Sequence, residues 1–86
     1  MIVRVRLFAM LRDKLPPGTK SHELEMKIDM PEGTTPHDVI QHLDIPAQLA
    51  HLVMIDGTHL LPDERMTRVI QEGEVLAIVP PVSGGT

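Results

Sequence analysis

The chain has 86 residues, 42% of them apolar, a formal charge of −4 and no cysteine. That length allows one domain, whose folding buries only about 60% of the unfolded surface. The missing cysteines exclude disulfides and thiolate metal sites, and 12 acids against 8 bases argue against nucleic acid, which requires a basic footprint. The same balance is compatible with docking on a basic protein surface. With one Phe, no Trp, no Tyr and six Met, the core must be filled by aliphatic and thioether side chains, and the methionines are expected there. No apolar stretch nears the roughly 20 residues of a membrane span. The first residues interleave arginine with apolar side chains instead of forming a signal-peptide core. A cytoplasmic protein with no membrane partner is expected.

Residues 1–8 alternate, with Val3, Val5 and Leu7 on one face and Ile2, Arg4, Arg6 and Phe8 on the other, the mark of a half-buried strand. Phe8, Leu11 and Leu15 then fall at helical spacing, and Pro16-Pro17-Gly18 stops that short helix. Residues 22–30 alternate again, with Leu24, Met26, Ile28 and Met30 inward and Glu23, Glu25, Lys27 and Asp29 outward. After a turn at Pro31-Glu32-Gly33, Thr35 reads as the N-cap of a helix over 35–44, with Pro36 at N1 and Asp38 reaching back to the cap. Val39, Ile40 and Leu43 are its buried face, and Pro46 interrupts it.

Residues 52–55 form an apolar strand closed by the tight-turn pair Asp56-Gly57, and residues 58–61 return as a short strand. Residues 62–67 read as polar and irregular, and Val69 and Ile70 re-enter the core. Glu72-Gly73 turns the chain into the last strand, 74–79. The expected architecture is α+β, a mixed four- to five-stranded sheet packed on one main helix.

The last strand runs into Pro80-Pro81-Val82-Ser83-Gly84-Gly85-Thr86. The prolines cannot extend a ladder and favour an extended path. Gly84 and Gly85 carry no Cβ and fit a channel that other residues would block. Residues 81–85 reach about 17 Å at about 3.4 Å each. A terminal Gly-Gly alone is also what a frayed end looks like; the strand and Pro-Pro before it favour a tail built for insertion.

In three stretches the chain resembles the MoaD/ThiS family of sulfur-carrier proteins. Leu7-Phe8-Ala9-Met10-Leu11-Arg12-Asp13 is similar to the family's first strand-to-helix junction, Gly73-Glu74-Val75 to its turn into the final strand, and Pro80-Pro81-Val82-Ser83-Gly84-Gly85 to its tail. The resemblance implies a β-grasp, ubiquitin-like domain over 1–86, with 80–86 as an extended C-terminal tail and the first and last strands parallel at the sheet centre. It implies a carrier that is not an enzyme by itself. An E1-like adenylating enzyme spends ATP to activate the Gly85 carboxylate, with Gly84 beside it. A sulfur donor converts the adenylate to a thiocarboxylate, and an acceptor enzyme uses the sulfur. The tail favours the small subunit of molybdopterin synthase, with the synthase large subunit as acceptor, over a thiazole carrier. The chain itself binds no cofactor.

Phe8, Arg12, Leu60, Val79, Pro80, Pro81, Val82 and Ser83 are then the expected partner-binding residues. Phe8 and Val79, with His59 or Leu60, are expected to form an exposed apolar cluster at the root of the tail. Arg12 corresponds to a basic position of the family and suits a partner carboxylate; a solvated surface arginine is the plain alternative. The family's chain ends at its second glycine, whereas Thr86 follows Gly85 here. Either Thr86 is removed, or the tail is never charged, or Thr86 is an appended residue. Two other functions fit the same residues: a ubiquitin-like modifier joined to lysines through Gly85, and a β-grasp binding module. His22, His37, His42, His51 and His59 show no i, i+4 pairing or carboxylate spacing for a metal. Lys14, Lys20 and Lys27 read as solvated.

Overall fold

The computed structural model describes residues 1–15 and 25–81. The elements are β1 (Ile2–Leu7), a 3₁₀ helix (Ala9–Lys14), β2 (Glu25–Asp29), α1 (Pro36–His42), a 3₁₀ turn (Ala47–Leu49), β3 (Leu52–Ile55), β4 (Thr58–His59), α2 (Glu64–Thr67) and β5 (Val75–Val79). Among the described residues the five strands form one mixed sheet in the order β2-β1-β5-β3-β4. β1 and β5 are parallel neighbours, as the resemblance implies, with Val5 beside Leu76 and Leu7 beside Ile78. The other pairings are antiparallel.

Alternation decides which side of each strand is buried. Val3, Val5 and Leu7 of β1, Val53 and Ile55 of β3, and Leu76 and Ile78 of β5 face one way and are buried. Val39 and Ile40 of α1 cover them, joined by Leu11, Leu15, Ile45, Ala50, Leu60 and Ile70. Met26, Ile28 and Met30 pack at the edge of this cluster, so the inward set of β2 holds as far as it is described. Residues 22–24 of that expected strand lie outside the described residues.

The start of α1 follows its local chemistry. The Thr35 N–H donates to Asp38 Oδ2 at 3.0 Å, and the Asp38 N–H donates to Thr35 Oγ1 at 3.3 Å, a reciprocal capping box with Pro36 behind it. Its end comes earlier than Pro46. Asp44 sits at φ +55°. The Asp44 and Ile45 N–H groups donate to the Gln41 and Ile40 carbonyls at 3.1 and 3.0 Å, a Schellman closure with buried Ile40 and Ile45 beneath it. Pro46 therefore follows a stop already made.

Asp56 and Gly57 have φ of +48° and +83°, the signs a two-residue hairpin turn needs to match strand twist. Asp56 also ties the turn to β5: its N–H donates to the Val75 carbonyl at 2.9 Å, and its Oδ1 accepts from the Val75 N–H at 2.8 Å.

Three expectations need correction. Residues 62–67 are not irregular: they include the single turn α2, where Glu64 Oε1 accepts from the Leu61 N–H at 2.8 Å. Arg65 fastens that turn by donating to the Ala50 and His51 carbonyls at 2.7 and 3.0 Å. Val69 does not enter the core. It is 37% exposed beside Ile70 at 1%, because neighbours on an extended chain point to opposite sides. Methionine is not uniformly core filler either, since Met10 and Met66 are more than half exposed.

Candidate functional site

The sheet has a second face that α1 does not cover. Ile2, Arg4, Arg6 and Phe8 follow the outward parity of β1; Val75, Ala77 and Val79 that of β5; Leu52 and Met54 that of β3. Cross-strand partners share a face, so one row of it reads Glu25–Arg6–Ala77–Met54–His59. Leu52 stands beside Val79, and extending the β1–β5 register by one residue sets Phe8 on the other side of Val79. A shallow groove of about 380 Å³ runs along this face, lined by Arg6, Phe8, Met54, Asp56, Val75 and Ala77.

Phe8 is half-buried and directly follows β1 at the edge of this groove. The next residue, Ala9, has φ +52°, a left-handed conformation that turns the chain out of the strand into the 3₁₀ helix. Arg12 lies on that helix and is half-buried. Val79 is half-buried at the end of β5. Phe8 and Val79 thus share the end of the sheet from which the tail departs.

Leu60 does not join them. It is 4% exposed and belongs to the core. His59 stands opposite Met54 on the open face, so the next residue must point inward; the Leu60 N–H donates to the Val53 carbonyl at 2.9 Å and holds it there. Of the two, His59 is the exposed one. Pro80 departs from expectation in the same way. It is among the fully buried side chains. Leu76, Ile78 and Pro80 are i, i+2 and i+4, so Pro80 continues the inward parity of β5, and that spacing was available in the sequence. Pro81, the last described residue, is exposed. Val82, Ser83, Gly84, Gly85 and Thr86 lie outside the described residues.

Charge is concentrated at the β1–β2 side of the face. Arg4 Nε donates to Glu25 Oε2 at 2.9 Å and its Nη2 to Oε1 at 3.1 Å, while Arg6 Nε donates to the same Oε1 at 3.4 Å. The hydrogen bonds from Arg4, reinforced by its charge and by Arg6, hold the Glu25 carboxyl below the usual carboxylate range. Glu25 in turn raises the Arg4 guanidinium. Sequence parity had put Arg4 and Arg6 on the face with Phe8. It could not show that Met54 and Ala77 complete the groove, because that depends on which strands pair.

Among the described residues, His37, His42, His51 and His59 join no group of three or more side chains able to hold a metal ion; His22 lies outside them. No described helix is long and apolar enough to cross a membrane.

The fold has solved relatives. A Haloferax volcanii protein, HVO 2177, superposes with a TM-score of 0.74 at 20% identity, over 99% of this chain and 87% of its own. A chain from the complex of subunits 1 and 2 of the molybdopterin-converting factor of Helicobacter pylori 26695 superposes with a TM-score of 0.57 at 18% identity, over 99% of this chain and all of its own. At these identities they establish the β-grasp fold. No curated protein matches the chain in sequence. The profile of the ThiS family matches residues 5–85, from β1 through the second glycine of the tail. The chain belongs to the ThiS family of small sulfur carriers.

Proposed function

We infer that this protein carries sulfur as a thiocarboxylate on Gly85, after removal of Thr86, and delivers it in molybdopterin biosynthesis in the cytoplasm. It is a co-substrate and synthase subunit, and the catalytic groups belong to its partners. A carboxylate is a poor electrophile. In the adenylating enzyme a Gly85 carboxylate oxygen attacks the α-phosphorus of ATP and expels pyrophosphate. A sulfur nucleophile from the donor then attacks the acyl carbon and expels AMP. The carrier needs no resident cofactor for this, only a slim end on a firm body.

What supports this most is the way the chain leaves the fold. β5 is held between β1 and β3, Pro80 is locked in the interior, and Pro81 emerges beside the open face that holds Phe8 and Val79. Molybdopterin is favoured as the destination by the resemblance of the Pro-Pro-Val-Ser-Gly-Gly tail. By analogy with the Helicobacter pylori complex of two subunits, the acceptor is a synthase large subunit.

Intact mass spectrometry tests this. The chain ending at Gly85 is incubated with the source organism's adenylating enzyme, ATP and sulfide. It should gain the mass difference between sulfur and oxygen, and the chain ending at Thr86 should not. Absence of that gain, or lysine-linked conjugates in its place, would overturn the sulfur-carrier chemistry.

A further inference from the structure

A second groove lies on the helical side of the sheet, away from the open face. Ile40, Ile45 and Ala50, all buried, form its floor. Pro62 and Met66 line it from the α2 segment and His37 from α1. It encloses about 300 Å³. Its apolar surface runs on past the cavity, because Met66 is 61% exposed and Leu61, next to Pro62, is 62% exposed. Two large apolar side chains this open and this close mark a protein contact. The permanently charged residue lining the groove is Arg65, and no Asp or Glu lines it. Arg65 spends Nη1 and Nη2 on the neutral carbonyls of Ala50 and His51, and its Nε is buried without a hydrogen-bond partner. Among the described residues it joins no ion pair. The neighbouring acids are engaged or outside: Asp38 accepts from the Thr35 N–H, Glu64 from the Leu61 N–H, and Asp44 and Asp63 are exposed.

We propose that the protein that donates sulfur docks in this groove while the adenylating enzyme holds the tail, with an apolar side chain on the floor and a carboxylate against Arg65. This deepens the sulfur-carrier reading and rests on it. An acyl adenylate released to water hydrolyses, so it must wait inside the enzyme that made it. The donor therefore meets a carrier whose tail is already engaged, and it needs a surface on another side of the molecule. The groove supplies one across the sheet from Phe8 and Ala77. It is still close to the tail: Ala50 in its floor comes two residues before Leu52, which pairs with Val79 at the end where the tail departs. The lining selects the donor's charge. A guanidinium held only by neutral carbonyls gains most from a carboxylate, and a cationic segment would meet Arg65 with no acid between them. Asp63 and Glu64 beside it, on a chain of formal charge −4, confine the match to a single local carboxylate. A donor loaded as a cysteine persulfide attacks with its terminal sulfur. The S–C bond forms at the Gly85 carbonyl, and the C–O bond to AMP breaks and takes its electron pair with it. The product is an acyl disulfide joining donor to carrier, until a thiol attacks the donor's sulfur and frees the thiocarboxylate.

Comparing two sulfur sources tests the proposal. The chain ending at Gly85, ATP and the source organism's adenylating enzyme are mixed with that organism's donor protein, loaded as a persulfide, or with sodium sulfide, and no thiol is added. Intact mass reports the donor–carrier conjugate in one arm and the thiocarboxylate in the other; pyrophosphate release without any sulfur source reports adenylation. The wild type is compared with His37→Glu, His37→Lys and Met66→Asp. Position 37 lies in the first turn of α1, where a carboxylate suits the helix dipole, so His37→Glu alters the groove's charge without weakening the helix. Melting temperatures check the fold of Met66→Asp. With the donor protein, His37→Glu should slow conjugation roughly tenfold, less so at high salt, and Met66→Asp should slow it at least as much. His37→Lys should speed it by about threefold. With sulfide every variant should match the wild type, and pyrophosphate release should be unchanged. Variants that conjugate to the donor like the wild type would overturn the proposal. So would a loss shared with sulfide, since the groove would then serve adenylation. A wild type charged by sulfide but never by the donor protein sinks the proposal and leaves the carrier reading standing; one charged by neither sinks both.

Discussion

Leu60 and Phe8 are both large apolar residues expected at the root of the tail, yet the structure places them on opposite sides of the sheet. Leu60 is 4% exposed in the core; Phe8 is half-buried on the open face. Leu60→Ala removes buried atoms and leaves a cavity, which costs about 2–5 kcal/mol. Domains of this size have roughly 4–13 kcal/mol of stability in all, at about 0.05–0.15 kcal/mol per residue. A mid-range loss of about 3 kcal/mol lowers the melting temperature by roughly 12–24 °C, at about 4–8 °C per kcal/mol. Phe8→Ala loses about half the transfer energy of a fully buried side chain, about 1 kcal/mol, or roughly 4–8 °C. With no Trp or Tyr in the chain, unfolding is followed by far-ultraviolet circular dichroism rather than fluorescence. Binding to the adenylating enzyme is measured well below both transitions. Leu60→Ala should be unstable yet bind as the wild type does while folded, and Phe8→Ala should be stable and bind poorly. If Leu60→Ala melts within a few degrees of the wild type and loses binding, the parity that turns Leu60 inward is wrong.

The Glu74 carboxyl is lowered first by hydrogen bonds from Arg68, of which the Nη2–Oε2 contact is 2.5 Å, and further by the Gln71 N–H at 2.6 Å. A lowered folded pKa means stability that is full above the unfolded value of about 4.3 and is lost as pH falls through the folded value. Glu74→Gln should therefore cost about 1 kcal/mol at neutral pH, the partly exposed pair setting the low figure, and the two melting curves should converge as pH falls below the unfolded value and through the lowered folded one. Thr35→Ala removes the acceptor for the Asp38 N–H; a loss of about 1 kcal/mol, or roughly 4–8 °C in melting temperature, is expected, with helical circular dichroism retained. Ala9, at φ +52°, should accept glycine with a change below about 1 kcal/mol, since relief of left-handed strain offsets glycine's added chain entropy. Ala9→Val should cost about 1–3 kcal/mol by the same melting assay, because a β-branched residue resists that conformation.

Features written in consecutive residues were legible in the sequence. The capping box needs only Thr35, Pro36 and Asp38. The hairpin needs only Asp56 and Gly57, and the faces of β1 and β2 follow from strict alternation. What stayed hidden depends on residues distant in the chain. α2 owes its place to Arg65 reaching the Ala50 and His51 carbonyls, and no local propensity in a four-residue polar segment reports that. Whether His59 or Leu60 faces outward is a question of register, set by pairing with Met54. The stop at Asp44 was masked by Pro46, a louder signal two residues later that reports the same boundary. At the candidate site, β1 showed its own outward residues, but the groove exists only because β5 lies beside β1 and brings Val75 and Ala77 with it.

That central position of β5 also links docking to chemistry. The strand is paired on both sides, with β1 from Arg4 to Leu7 and with β3 from Leu52 to Ile55, and Pro80 extends its buried set by one more residue. The point where the accessible chain begins is therefore fixed relative to Phe8, Val79 and Arg6. Five residues from Pro81 to Gly85 span at most about 17 Å, so on the proposed reading a partner that seats the open face also holds the Gly85 carboxyl within that distance of Pro81. Proximity is obtained by docking a rigid body, and glycine, which has no Cβ, suits passage through a narrow channel. A carrier organised this way can serve successive enzymes, provided each one recognises the same face and places its reacting atom within that reach.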